Sequence, residues 1–365
     1  MALTLSPLPC VTTDMNDFVL YGAYGYTGRL ITRMAAEVGL KPLLSGRNAE
    51  KLAAMHHEFG YDYRAVDLNN QKELHDLLGG QRVVLHAAGP FEQTAQPMME
   101  ACIDTGTHYL DITGEIPVFA LGAKLGPAAE RAGVMLMSGV GFDVVPTDCL
   151  AAYLKGKMPE ATELTLAFAW KGGMLSHGTA KTMLGGLGSG GAIREHGKIK
   201  PVKAAYDVRE FPFTEQVPLQ AVTIPWGDVF TAYFTTGIPN IKTYFSVPPA
   251  QITSMKRSNY LGPLLRLGPV QNYLRKKIEA RPAGPDDAQR ERAETYVYGE
   301  VKDVSGKVVA ARLRTPEGYT LTAHSALLIV RKVLDGAVES GYQTPAGLYG
   351  PDLVMEIEGV TRADL

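Results

Sequence analysis

The sequence lacks the features that mark several common classes of protein. Its three cysteines, Cys10, Cys102 and Cys149, are far apart, odd in number and without CxxC spacing. That argues against a disulfide framework or a cysteine-based zinc site, no metal is expected, and a reducing, cytoplasmic compartment fits best. There is no block of like charges, and Lys+Arg 36 against Asp+Glu 38 leaves a formal charge of -2. A nucleic-acid arm or acidic tail is therefore not expected, and small, neutral or locally charged partners are. Apolar runs stay well short of the ~20 residues that cross a bilayer. Residues 1–17 (MALTLSPLPCVTTDMND) carry neither a basic leader nor an apolar one, and read as a flexible tail on a soluble chain.

What the 365 residues do contain is alternation. A single hydrophobic core usually stops growing below this size, so two domains are expected. From Phe18 to about Val145, short apolar runs (FVLYG, PLLSG, YRAVD, RVVLHAAG, HYLDITG, VMLMSGVG) alternate with amphipathic stretches. This predicts an α/β, doubly wound sheet of six parallel strands with helices on both faces, over residues 18–145. After Pro146 the pattern changes. A helix (TDCLAAYLKGKM) leads to alternating segments ELTLAFAW, VTIPW, VFTAYFTT, IKTYFSV, ETYVYGEVKD and KVVAARLRT, separated by Pro, Gly and Asn. They predict a second, α+β domain over residues 146–324 with a mostly antiparallel sheet, whose edge strands could pair in a homodimer. A last helix, from Ser325, is expected to return to the first domain with residues 325–365. Lys256 to Arg281 is basic with apolar residues at helical spacing; a solvated helix packed on its own domain is favoured there over a membrane-surface element, because Gly262-Pro263 and Gly268-Pro269 interrupt the pattern.

The turn after the first strand reads Gly22-Ala23-Tyr24-Gly25-Tyr26-Thr27-Gly28. Strand, glycine turn and helix in that order place backbone N–H groups and a positive helix end at one point, which suits a pyrophosphate. At the end of the second strand stand Ser45-Gly46-Arg47-Asn48, with no acid for a ribose 2′-hydroxyl. A guanidinium there suits a 2′-phosphate, so NADP(H) is expected over NAD(H). Asp67, after the third strand, either receives the adenine amino group or caps the helix at Gln71. The Ala88-Gly89-Pro90 turn after the fourth strand and Glu115 after the fifth are expected beside the nicotinamide, because open α/β sheets bind ligands at strand carboxyl ends.

Several stretches also resemble, in order and spacing, the saccharopine dehydrogenase-like oxidoreductases, a family that includes trans-acting enoyl reductases. They are LSGRNAEKL, VVLHAAGPFEQTAQPMMEACIDTGTHYLDITGE, GFDVVPTD, SHGTAKTML, GPDDAQRERAETYVYGEV, EGYTLTAHSAL and TPAGLYG. The resemblance implies a Rossmann-type NADP-binding domain, a C-terminal domain that covers the nicotinamide, and reduction of an unsaturated bond. It carries cofactor contacts onto Gly22, Gly25, Gly28, Arg47 and Ala88-Gly89-Pro90. Tyr24 departs from the Ala-Thr-Gly that many members have, and could alter the phosphate environment or reach the active-site cleft. Saccharopine-type enzymes need basic side chains for several carboxylates; Arg194 and Arg209 are the nearest candidates in the second domain, and neither is convincing.

No Ser/His/Asp arrangement or metal-ligand cluster is evident, which leaves hydride transfer with a protein acid. His177, in Ser176-His177-Gly178-Thr179-Ala180-Lys181, ranks first as that acid and Tyr26 second, with Lys181 close in sequence; a purely structural role for His177 carries equal weight. Glu115 and Asp143 either orient cofactor or substrate, or cap the helices that follow. Thr147 or Asp148 is expected to cap its own helix. The reading expected is NADPH-dependent reduction of an activated C=C bond in an apolar small-molecule or acyl-carrier-bound substrate. A saccharopine-type imine or amino-acid oxidoreductase, and a cofactor-binding scaffold or membrane-associated sensor, are the alternatives.

Overall fold

A computed structural model describes residues 16–188 and 190–365; the expected tail and Cys10 lie almost wholly outside them. The first half builds as the alternation predicts. Strands β1 (Phe18–Tyr21), β2 (Pro42–Gly46), β3 (Tyr63–Ala65), β4 (Val83–His86), β5 (His108–Asp111) and β6 (Met135–Met137) alternate with helices α1 (Tyr26–Glu37), α2 (Ala49–Phe59), α3 (Gln71–Leu78), α4 (Phe91–Thr105) and α5 (Ile116–Arg131). The strands pair in parallel in the order β3-β2-β1-β4-β5-β6, so the chain reverses direction across the sheet between β1 and β4, where a crevice opens at the carboxyl ends. Strands buried on both faces need continuous apolar runs, and β1, β4 and β6 have every residue buried.

The second half forms a mixed sheet. After α6 (Val145–Lys157) come β7 (Glu163–Lys171), α7 (His177–Gly185), β8 (Gly191–Glu195), β9 (Lys198–Val202), β10 (Val208–Phe211), β11 (Leu219–Thr223), α8 (Asp228–Thr236) and β12 (Asn240–Ser246). Then follow α9 (Pro249–Leu265), α10 (Gly268–Glu279), α11 (Asp287–Arg292), β13 (Glu294–Lys302), β14 (Val308–Pro316), α12 (Gly318–Leu334), β15 (Gly341–Tyr342), α13 (Pro345–Tyr349) and β16 (Thr361–Asp364). The sheet runs β10-β11-β12-β7-β13-β14-β16, with β8 on β12 and β9 on β8. All its pairs are antiparallel except β12 with β7.

Two expectations change. The segment VFTAYFTT is helix α8, not a strand: Val229, Ala232 and Thr236 are buried at helical spacing, and Gly237 closes the helix in the left-handed conformation at φ 69°. Burial of one helical stripe outweighs the strand preference of alternating Phe and Thr. The parallel sheet has a seventh strand, β15, which joins β6 from the far end of the chain, and β16 returns to the second sheet beside β14. The C-terminal segment thus serves both sheets, with α12 packed on α1 and β4 on one side and β14 on the other. One continuous apolar core follows, holding Phe18 and Leu20 of the first sheet with Val297 and Leu313 of the second and Ile329 of α12.

Candidate functional site

The glycine turn closes on the neighbouring strand end. Gly22 sits at φ 91°, and a Cβ there would lie 2.7 Å from the Ala88 nitrogen, so β1 and β4 approach as closely as backbone allows. A Cβ on Gly28 would collide with the Gly22 carbonyl oxygen. Gly25 is the N-cap residue of α1; no side chain caps this helix and no acid stands in its first turn. Its N–H groups, Thr27 among them, face an opening toward which the helix dipole is positive, which is what a pyrophosphate requires.

The end of β2 lies beside this turn. The Arg47 side chain is exposed and makes no hydrogen bond or ion pair among the described residues, so its guanidinium is free for a 2′-phosphate. Tyr24 does not reach the cleft between the domains: its ring lies against Gly46, whose added Cβ would stand 2.7 Å from it, and the Lys51 ammonium sits over it 5.6 Å from the centroid. Ser45 and Asn48 are spent on the fold. The Ser45 hydroxyl donates to the Arg64 carbonyl at 2.8 Å, and Asn48 caps α2 by accepting from the Lys51 N–H at 2.9 Å. Asp67 accepts from the Asn69 N–H at 2.9 Å, and it is Asn70 that caps α3.

At the carboxyl ends of β4 and β5 lies a buried polar chain. Asp111 accepts from the Tyr109 hydroxyl at 2.8 Å and from the Thr113 and Gly139 N–H groups, both at 2.9 Å. The Tyr109 hydroxyl stands 3.2 Å from His86 Nδ1, and burial pushes the His86 imidazole down to about 3, so it is neutral. Above it the Ala88-Gly89-Pro90 turn leads into α4, whose first N–H groups, of Phe91 and Glu92, donate to Glu115 at 3.1 and 2.7 Å. Glu115 therefore caps α4 rather than its own helix. Burial raises its pKa against those two bonds.

Across the crevice the second domain supplies a small aromatic pocket, open to solvent on one side. Phe142, Trp170, Trp226 and Tyr319 form much of its wall, with the half-buried Asp143 and Glu294 and the buried Glu317 as its acids, and no basic side chain lines it. Trp226 and Phe245 pack on Phe168 at 5.0 and 4.9 Å between centroids, so the wall is braced from behind. Asp143 is held by its backbone, which accepts from the Trp226 indole at 2.9 Å, and it packs tightly on Gly114, where a Cβ would lie 2.7 Å from its carboxylate. Among the described residues no donor reaches that carboxylate. Burial, reinforced by the charge of Glu115, pushes its pKa up to about 7. Glu317, by contrast, accepts from the Tyr319 and Thr320 N–H groups as the cap of α12. Tyr319, whose hydroxyl lies 2.6 Å from the Ser176 nitrogen and 2.9 Å from Thr179 Oγ1, has its pKa raised by burial.

A strap of residues 281–290 ties the two halves together. The Tyr26 hydroxyl donates to the Pro285 carbonyl at 2.6 Å and accepts from Arg290 at 2.9 Å, while its ring meets Tyr319 edge-on at 5.0 Å. Burial pushes the Tyr26 phenol up to about 12. His177 and Lys181 lie outside the pocket. The His177 ring donates from Nε2 to the Arg281 carbonyl at 2.8 Å, and Lys181 pairs with Glu279 at 2.8 Å. Arg194 is consumed by the Val229 and Gly197 carbonyls, and Arg209 by Glu300. Asp148 accepts from Thr235 and from the Ala346 N–H rather than capping α6, while Thr147 donates to the Val144 carbonyl and to Asp228. The structure thus gathers Tyr26, Glu115 and Asp143 near the pocket with Tyr319, Trp170 and Trp226. The last two are the chain's only tryptophans, a signal that could have been read.

A β1-glycine-turn-α1 cradle, strand order 3-2-1-4-5-6 and a covering α+β domain define a two-domain dinucleotide-binding protein of Rossmann type. Residues 18–137 match the family model of the saccharopine dehydrogenase NADP binding domain. That match assigns residues 18–137 to this NADP-binding domain family, and beyond it the chain is similar to saccharopine dehydrogenase-like oxidoreductases. It is 28% identical over 251 residues to a saccharopine dehydrogenase-like oxidoreductase of Rattus norvegicus, covering 59% of this chain and 58% of that one. It is 32% identical over 140 residues to a trans-acting enoyl reductase of Mycobacterium leprae, covering 36% and 34%. The match thus spans 58% of the length of the first of these relatives and 34% of the second. In fold it is similar to the saccharopine dehydrogenase (L-Glu forming) of Saccharomyces cerevisiae, with TM-score 0.68, 12% identity and coverage of 96% and 100%. Among the described residues no helix is long and apolar enough to cross a membrane, and no cluster of His, Cys, Asp and Glu suits a metal.

Proposed function

We propose that the protein is an NADPH-dependent reductase acting on an activated C=C bond of an apolar or carrier-bound substrate. The observation that carries this reading is a pocket walled by aromatic rings, without a basic side chain, in which the Asp143 carboxyl has no donor among the described residues. The uncapped start of α1 would hold the pyrophosphate, Arg47 the 2′-phosphate, and the Ala88-Gly89-Pro90 turn the nicotinamide ribose. A nicotinamide held by these groups would supply hydride chemistry. Asp143, protonated at its Oδ atoms near neutral pH, delivers the proton to the α-carbon and is recharged from solvent. Trp170, Trp226 and Phe142 exclude water and position the chain of the substrate. Burial, with the charge of Glu115 behind it, favours the acid form of Asp143, and Glu115 also fixes the turn ahead of α4. His177, Lys181 and Tyr26 act at a distance, as posts for the strap and for α7. A homodimer is proposed through the second sheet, to be checked by sedimentation.

The experiment is NADPH consumption with enoyl thioesters of increasing chain length. Turnover that improves with an apolar chain supports the reading; inertness towards all of them, with NADPH bound, removes it. Reduction of C=N is the second reading, favoured by the pairing of Asp143 and Glu317 with aromatic faces, which would stabilise a protonated imine. The absence of a lining base weighs against saccharopine itself, whose carboxylates would lack a partner there. Oxidation of saccharopine with NADP+ would restore it.

A further inference from the structure

The charge of the chain is unevenly placed. Residues 256–281 carry seven basic side chains and one acid, Glu279, a net of +6, so the remaining residues carry −8 of the overall −2. The one acid is already paired with Lys181. This segment is α9 from Lys256 onward followed by α10, and it is thinly packed: α10 leans chiefly on α7 and α9, and none of its residues is buried.

The same surface exposes large apolar side chains. Tyr260 and Leu264 are 84% and 52% exposed one turn apart on α9, on the side that also carries Lys256 and Arg257. Leu267 at the bend and Tyr273 on α10 are 51% and 59% exposed, and the Lys277 ammonium lies 4.9 Å over the Tyr273 ring. A soluble chain gains nothing by presenting Tyr and Leu to water among cations. A bilayer interface rewards both at once, since tyrosine rings and leucines settle below the headgroups while lysine and arginine stems extend to anionic phosphates.

We propose that α9 and α10 form a peripheral docking surface for an anionic lipid bilayer, with Tyr260, Leu264, Leu267 and Tyr273 entering the headgroup layer and the surrounding lysines and arginines pairing with lipid phosphates. The cations are spread along two helices rather than gathered at one spot, which suits a fluid array of headgroups better than a single acidic site. It adjoins α7, whose Thr179 lines the aromatic pocket. The inference does not rest on the reductase reading, and either can fail without the other.

The test is co-sedimentation of the full chain with phosphatidylserine–phosphatidylcholine vesicles and with phosphatidylcholine alone. Binding to the anionic vesicles at low ionic strength is expected, with loss on added salt and little binding to the neutral ones. The double variants Tyr260→Ser/Leu264→Ser and Lys276→Glu/Lys277→Glu should each weaken it at least ~10-fold, and the lysine pair should also flatten the salt dependence. NADPH affinity, unchanged in both, shows that they fold. Protein that stays in the supernatant with anionic vesicles, or binding indifferent to both variants, overturns the proposal. So does variant-sensitive binding to an acidic protein without vesicle binding.

Discussion

At the residue scale the account turns on two side chains that the fold leaves unpartnered. Arg47 is expected to discriminate the cofactors: a charge-assisted contact contributes about 1.5–3 kcal/mol, so Arg47→Ala should weaken NADPH by roughly 10–100-fold and leave NADH nearly unchanged in calorimetric titrations. Equal losses for both would remove it from the 2′-phosphate. Asp143 has a pKa raised to about 7 against an ordinary 3.8, chiefly by burial. Its acid form predominates below that value, so turnover should fall as pH rises through about 7, and Asp143→Asn should reduce turnover by ~10²–10⁴ while sparing NADPH affinity. The same shift has a sign for stability. The unfolded chain releases this proton near its ordinary value and the folded chain keeps it, so the contribution of Asp143 is full below about 3.8 and is lost as pH rises through about 7. Thermal melts should therefore find Asp143→Asn stabilised relative to the parent at alkaline pH and not at acid pH; the reverse order would mean that the carboxylate is stabilised in the fold.

At the element scale the strap is the part that the sequence concealed. The β-α alternation and the strand-turn-helix around the glycines were legible because each is a local pattern. Helix α8 was not, since its Phe, Tyr and Thr suit a strand until α6 and the second sheet bury one helical stripe. Tyr26 could be placed in the turn but not against Pro285 and Arg290, more than 250 positions away, and Tyr319 had no local motif at all. His177 drew attention by its glycine-bounded turn, yet its ring serves a carbonyl of the strap. The fit between Tyr26 and the strap is close enough to measure: a Cβ on Gly284 would collide with the Tyr26 ring. Gly284→Ala should cost about 1–3 kcal/mol by overpacking. In a double-mutant cycle most of that cost should vanish when Tyr26 is already alanine. Additive losses would show that the two do not meet.

At the scale of the whole molecule, two sheets share one core and one C-terminal segment, because α12 lies between them, β15 extends the first and β16 the second. Calorimetric unfolding of the apoprotein should then be a single transition, and two separable transitions would contradict the shared core. The arrangement also explains how a cofactor cradle and an aromatic pocket built from distant parts of the chain can be held in register without a covalent tie. The most direct measurement is to incubate an enoyl thioester with NADPH deuterated at the transferable position and weigh the product. The account predicts one deuteron at the β-carbon and one solvent proton at the α-carbon, with both lost to the same extent in Asp143→Asn. Unlabelled or unreduced thioester from protein that binds NADPH would contradict it.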